Sequence, residues 1–296
     1  MVQEPATAKY DGMPSSAIKS GFVTHIVPVD KMPELLLAYA RTLTLPIKSH
    51  PAPKAVGSIN AILMQLRTVT GNDFSLYKKT TIGRRIERRM SQNNIEDIEL
   101  YARYLKENVS EALLLFKDLL INVTNFFRDP EAFDVLQKTI LPQLCSDKAD
   151  DYVFRVWVAG CASGEEVYSI AMLLRELTEE THQQFKIQIY GTDLDDDAIT
   201  IARAGVYPAN IAQDVTPERL HRFFLKEESG YRVKKELREM VVFAIQNVIK
   251  DPPFTKLDLL SCRNLLIYLE AEAQNRLIPD FHYALKPGGG IVPVTL

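Results

Sequence analysis

From Tyr152 onward, apolar runs of strand length alternate with segments of helical period, and this alternation constrains the fold more than any other feature. YVFRVWVAG reads as a buried strand, and the segment after it puts Val167, Ile170, Ala171 and Leu174 on one helix face. FKIQIYGT reads as a second strand and DDDAITIARAG as a helix closed by Gly205. KLDLLSCRN and GGGIVPVT read as further strands, separated by a helix from about Glu270 to Leu285. Strands alternating with helices form a parallel sheet covered on both faces. Between them, GYRVKKELREMVVFAIQNV has two strand-like runs with no helix between, and reads as an antiparallel excursion.

The region before Tyr152 follows another pattern. From Ser58 to Leu144 the periodicity is helical: Ile59, Ile62, Leu63, Leu66 and Val69 share one face, with Ser58 as N-cap and Gly71 as stop. SLYKKTTIGRRIERRM, IEDIELYARYLKEN and SEALLLFKDLLINV follow, and DPEAFDVLQKTIL opens with Asp129 at the N-cap and Pro130 at the first helical position. The expected division is a strand-and-helix segment at 1–48 and a Pro-rich extended linker at 49–57. A helical domain at 58–145 and an α/β domain at 146–296 follow, the latter with an antiparallel subdomain at about 215–245.

Composition narrows the function classes. A net charge of −3 argues against general affinity for nucleic acid or membranes, and no apolar run approaches the roughly 18 residues needed to cross a bilayer. The start lacks the basic-then-apolar layout of a signal peptide. Cys145, Cys161 and Cys262 are widely spaced with no C-x-x-C pair, which fits reduced thiols of a cytoplasmic protein; no metal site is expected.

In a parallel sheet, ligands sit at the carboxyl ends of strands near the point where strand order reverses. The turn after the first strand is Gly160-Cys-Ala-Ser-Gly164, which is neither the dinucleotide nor the phosphate-loop pattern. Glu165 and Glu166 then occupy the helix N-terminus, where carboxylates are stabilised by the helix dipole but would repel a phosphate. A cationic, phosphate-free cofactor such as S-adenosylmethionine fits better. The second strand ends in YGTDLDDD, where Asp193 can accept from two ribose hydroxyls and Asp195 can cap the next helix.

NVTNFFRDPEAF (122–133), RVWVAGCASGEEVYSIAM (155–172), YGTDLDDDAITIARAGVY (190–207), QNV (246–248) and SCRNLLIYL (261–269) together resemble the chemotaxis receptor methyltransferases, from about Ser58 to Gly290. The resemblance implies a small all-α domain followed by an S-adenosylmethionine-dependent, Rossmann-like methyltransferase domain bearing a small antiparallel subdomain. It also implies methyl transfer to receptor glutamate side chains, giving methyl esters and S-adenosylhomocysteine. Carried over by position, Asn122, Thr124 and Arg128 reach the cofactor from the interdomain segment. Glu166 and Asp193 bind it from the first two strand ends, Asn247 and Val248 flank the adenine, and Arg263 and Asn264 complete the pocket. Arg128 and Tyr268 lie closest to the transferring methyl. Phe126 and Phe127 read as packing.

YKKTTIGRRIERRM gathers six basic residues against one acid. Ile82, Ile86 and Met90 face inward, leaving Arg84/Arg88 and Arg85/Arg89 as outward pairs. Lys78, Arg84, Arg85 and Arg88 are expected to dock the Glu-rich cytoplasmic helices of a receptor. Some relatives of this kind hold a receptor's C-terminal peptide on the antiparallel subdomain. The short connection FFLKEESGYRVKKEL implies no such pentapeptide tether here.

The first 48 residues resemble the C-terminal end of a receptor methylesterase domain without its catalytic triad, as in a piece of a methylesterase–methyltransferase fusion. LKPGGGIVPVTL stops where the methyltransferases continue to a last strand. Two rival readings remain. DPPF (251–254) resembles the motif of nucleic-acid amino methyltransferases, although it precedes a strand rather than following one. A non-catalytic cofactor-binding scaffold is the other.

Overall fold

The computed structural model describes residues 1–8, 12–19, 23, 25–37, 53–146, 148–263 and 265–292, and for 12, 16, 19 and 53–56 the backbone alone. The chain divides into two units, Met1–Pro53 and Lys54–Leu296. In the first, β1 (Val2–Gln3) pairs in parallel with β2 (Ile26–Val27), and the helix Gly12–Lys19 supplies the crossover that parallel pairing requires. Residues 32–37 are helical. The linker expected at 49–57 falls outside the described residues up to 52, and its end is helical rather than extended.

The second unit begins with the helix Pro53–Thr70. Ser58 is therefore inside a helix and buried, not its N-cap: the apolar period marks where a helix meets the core, not where its backbone starts. Gly71, at φ 72°, ends it as expected. The helices Lys79–Gln92, Ile98–Glu107 and Val109–Leu119 close a core with it around Ile62, Leu66, Ile82, Ile86, Tyr101, Leu105 and Leu115. Asp97 caps the third of these four through Glu99 N and Leu100 N. Arg89 does not face outward. Its guanidinium grips Glu111 through Nε (2.9 Å) and Nη2 (2.5 Å), and Tyr101 donates to the same carboxylate at 2.8 Å. The segment expected as one helix from Pro130 is α-helical over Pro130–Val135, widens to a π-turn at Leu136–Ile140 and closes over Leu141–Cys145.

The main sheet has five strands, all parallel. Its strands are β3 (Val153–Ala159), β4 (Lys186–Asp193), β8 (Val241–Ile245), β9 (Leu257–Ser261) and β10 (Leu285–Val292). β3 is central, and Phe154, Val156, Trp157 and Val158 on it are fully buried, as expected of a strand covered on both faces. Val167, Ile170, Ala171 and Leu174 of the helix Glu165–Glu180 are buried as their spacing requires.

A second sheet, β5 (Val206–Pro208), β7 (Gly230–Val233) and β6 (Phe224–Glu227), is antiparallel. The sequence reading placed both apolar runs of 230–248 in it, and this is corrected for the second. After a short helix, Lys235–Arg238, β8 joins the main sheet in parallel with β4, from Ile189 opposite Val241 to Asp193 opposite Ile245. An apolar run announces a strand but not its partner or direction.

Chain order leaves β3 toward β4 and β8 on one side and toward β9 and β10 on the other. The strand order reverses between β3 and β9, which places the ligand crevice at their carboxyl ends.

Candidate functional site

The turn after β3 is built on left-handed backbone, with Gly160 at φ 73°, Ala162 at φ 47° and Gly164 at φ 91°. A side chain at Gly160 would also press on Leu265 Cβ at 3.1 Å. The amides of Gly160 and Cys161 donate to the Thr192 carbonyl at 2.8 and 2.9 Å, and the Ala162 amide donates to Asp193 Oδ2 at 2.8 Å. Asp193 Oδ1 accepts from the Asp195 amide at 2.9 Å. Asp193 thus ties the β3 and β4 loops together, and burial raises its carboxyl above the usual range. Asp195 caps the helix Asp196–Ala204 through Asp197 N, as its position suggested.

Across the reversal point, Ser261 at the end of β9 donates to Glu166 Oε1 at 2.5 Å. Arg263, buried, lies 3.7 Å from Glu166 Oε2 and donates through Nη2 to the Arg128 carbonyl and to Asp129 Oδ2, both at 2.8 Å. Burial raises the Glu166 carboxyl, while Ser261, Arg263 and Arg128 oppose the rise. Arg128 itself is flanked by two left-handed non-glycine residues, Phe127 at φ 50° and Asp129 at φ 59°. Each is pinned from outside: the Phe127 amide donates to Ser169 Oγ at 3.1 Å, and Asp129 is held by Arg263. Such strain persists only where surroundings enforce it, and it concentrates at working sites. Held by Arg263, the Asp129 carboxylate makes no N-cap bond to its helix. The Arg128 guanidinium donates to the Val123 carbonyl at 2.5 Å.

The other expected site residues are distributed around this centre. The Asn122 amide donates to the Asp195 carboxylate, which also accepts from Lys117 at 2.8 Å. Lys117 extends to Asp196 (2.5 Å) and Asp197 (2.9 Å), filling with an ammonium the acidic cluster that could otherwise suit a cation. Thr124 is half-buried. Gln246 N donates to the Asp193 carbonyl (2.9 Å), so Asn247 and Val248 stand beside the β4 end. Asn247 Oδ1 accepts from Ile249 N at 3.0 Å and its amide donates to Asn72 Oδ1 at 3.1 Å. Tyr268 is half-buried in the 3-10 turn Leu266–Tyr268. Asn264 lies outside the described residues. Arg84 and Arg88 are exposed, Lys78 and Arg85 are half-buried, and none of the four forms an ion pair among the described residues.

Ser261 escaped the sequence reading, although a hydroxyl closing a buried apolar strand was a usable signal. Asn72, Tyr77 and Lys117 carried no local signal at all, because their partners are remote in sequence. Phe126 and Phe127 are buried packing residues, Phe126 meeting Tyr207 edge-on at 4.9 Å. Phe254 of DPPF is also packing: it stacks on Tyr190 at 4.3 Å and 14°, before β9 begins.

Two half-buried carboxylates, Glu166 and Asp193, at or beyond neighbouring strand ends suit a cofactor with an ammonium, a sulfonium and a ribose. Fold and site define an S-adenosylmethionine-dependent methyltransferase. The chain belongs to the CheR methyltransferase family: residues 122–292 match its SAM binding domain and residues 58–120 its all-alpha domain. Residues 1–36 match the CheB methylesterase family. A 104.1 kDa protein of Rhodobacter capsulatus is 34% identical over 312 residues, covering 98% of this chain; the chain spans 33% of that relative's length. The chemotaxis protein methyltransferase of Borreliella burgdorferi is 33% identical over 224 residues, 73% of this chain and 79% of its own length. Chemotaxis protein methyltransferase 1 of Pseudomonas aeruginosa is 33% identical over 218 residues, 72% of this chain and 79% of its own. Among the described residues no helix is long and apolar enough to cross a membrane.

Proposed function

We propose that the chain methylates glutamate side chains on the cytoplasmic helices of chemotaxis receptors, as a cytoplasmic protein-glutamate O-methyltransferase. The observation that carries this reading is Arg128, held by strained backbone beside Glu166 and Arg263 at the strand-order reversal. The names of the chemotaxis relatives support it.

The cofactor, when bound, supplies an electrophilic methyl group on a sulfonium. A glutamate acceptor, with an ordinary pKa of about 4.3, is already ionised at neutral pH. Its carboxylate oxygen forms the new bond to carbon as the carbon–sulfur bond breaks and the electron pair stays on sulfur. No proton moves, so the chain needs no general base. Its residues have to align the oxygen and exclude water. Glu166 faces the cationic amino-acid end of the cofactor, Asp193 the ribose, and Asn247 with Val248 the adenine. Asn122, Thr124, Arg263 and Asn264 complete the pocket. Arg128 orients the incoming carboxylate through its planar guanidinium, and Tyr268 adds a hydrogen bond beside it.

Lys78, Arg84, Arg85 and Arg88 form the docking face for acidic receptor helices. The tight β6–β7 connection, Glu228–Ser229, supports the absence of a peptide tether. Tritiated methyl transfer, assayed in parallel on receptor cytoplasmic fragments and on DNA, tests the reading. Label on receptor that base releases as methanol is expected, and base-stable label on DNA would overturn it.

A further inference from the structure

Besides the contacts of Lys117 with Asp195, Asp196 and Asp197, the helical region meets the α/β domain through a short segment around residues 72–78. Glu270 N donates to the Leu76 carbonyl and Lys78 N to the Tyr268 carbonyl, both at 2.8 Å, and Tyr77 is bridged antiparallel to Leu269. These contacts fix the backbone on both sides of Tyr77. Its ring meets Phe74 at 4.9 Å and packs against both the helical core and the core containing Trp157 and Cys262. Its hydroxyl makes no hydrogen bond among the described residues. Burial, then the nearby Asp193 carboxylate and Cys262 thiol, hold the phenol above its ordinary range. The bridge to Leu269 and the packing against the core of Trp157 and Cys262 place the ring beyond the end of β9. Asn72, at the start of the same segment, holds the Asn247 amide.

Tyr77 is half-buried, and its hydroxyl is left free for a ligand. Its segment reaches the residues that surround the adenosine in the proposed site, Asn72 holding Asn247 and the Asp193 carboxylate lying near the phenol. We propose that Tyr77 is a cofactor-contacting residue supplied by the helical region, its hydroxyl hydrogen-bonding the adenosine part of S-adenosylmethionine. In the same segment Asn72 acts as a positioning residue that sets the Asn247 amide. The helical domain then completes the cofactor pocket in addition to meeting the partner. This rests on the reading of Asp193 and Asn247 as cofactor residues.

Titration calorimetry with S-adenosylhomocysteine on the full chain separates the possibilities. Tyr77→Phe keeps the ring and its packing, so the ligand-free melting midpoint is expected to stay unchanged while affinity falls roughly three- to tenfold, the worth of one hydrogen bond. Asn72→Ala, which frees the Asn247 amide, is expected to weaken binding in the same direction. Asp193→Asn serves as the control. Wild-type affinity in Tyr77→Phe together with weakened binding in Asp193→Asn would make the tyrosine a packing residue and overturn the inference alone. Wild-type affinity in both would remove the underlying site assignment, and the inference with it.

Discussion

The hydroxyl of Ser261 donates to the Glu166 carboxylate at 2.5 Å, joining the end of β9 to the first turn of the helix that follows β3. The bond crosses the point where strand order reverses, so it fixes a carboxylate where the cofactor's cationic end is proposed to lie. Burial raises the Glu166 carboxyl above the 4.5 of an exposed glutamate. Between 4.5 and that raised value the folded chain holds more protons than the unfolded one, so this group's contribution to stability falls as pH rises through the window. Glu166→Gln removes the dependence. Denaturation series across acid to neutral pH are expected to show the ligand-free variant gaining on the wild type as pH rises, while binding S-adenosylhomocysteine more weakly. Parallel stability curves would contradict the assignment.

Arg128 is the residue most exposed to a decisive test. Its backbone carbonyl, not its guanidinium, supports Arg263. Removing the side chain should therefore leave the pocket standing. Arg128→Ala is expected to lower turnover on the order of 100-fold or more, since alignment of the acceptor is lost. S-adenosylhomocysteine affinity is expected to stay within a few-fold, as measured by calorimetry.

The helical domain depends on a polar cluster that is nearly sealed. Glu111 and Arg89 retain 5% and 12% side-chain exposure, and Tyr101 shares the carboxylate. Glu111→Ala strands a guanidinium and a phenol, and is expected to cost about 3 kcal/mol in urea denaturation. Hydrogen bonds from Arg89 and Tyr101 hold the Glu111 carboxyl below its ordinary value despite burial. Its contribution is therefore present above pH 4.5 and lost on acidification below it.

Arg84 and Arg88 carry charge that no partner within the described chain neutralises. Reversing both to glutamate is expected to raise KM for an acidic receptor fragment about tenfold at low salt with kcat little changed. The gap between variant and wild type should shrink at high ionic strength. A loss confined to kcat would separate these residues from docking.

Legibility followed the range of the interactions. The strand–turn–helix at Val156–Leu174 and the cap at Asp195 are local, and the sequence patterns found them. Ser58 and β8 were misread because periodicity reports burial without reporting where a helix starts or which strand is neighbour. Arg89 was placed outward because helix spacing alone does not reveal a buried acid, Glu111, on the next but one helix. Ser261, Asn72 and Tyr77 became visible only when the fold brought them to Glu166, Asn247 and Asp193. The left-handed residues on either side of Arg128 could not be read from NFFRDP, since neither is glycine.

The central claim is that the chain transfers a methyl group to a glutamate carboxylate. Mass-spectrometric mapping of a receptor cytoplasmic fragment, after incubation with the full chain and S-adenosylmethionine, tests it most directly. Methylated glutamates whose label is lost as methanol in mild base, and which are absent with Arg128→Ala, are the expected result. A base-stable methyl group, or an unmodified fragment from a preparation that binds S-adenosylhomocysteine, would contradict it.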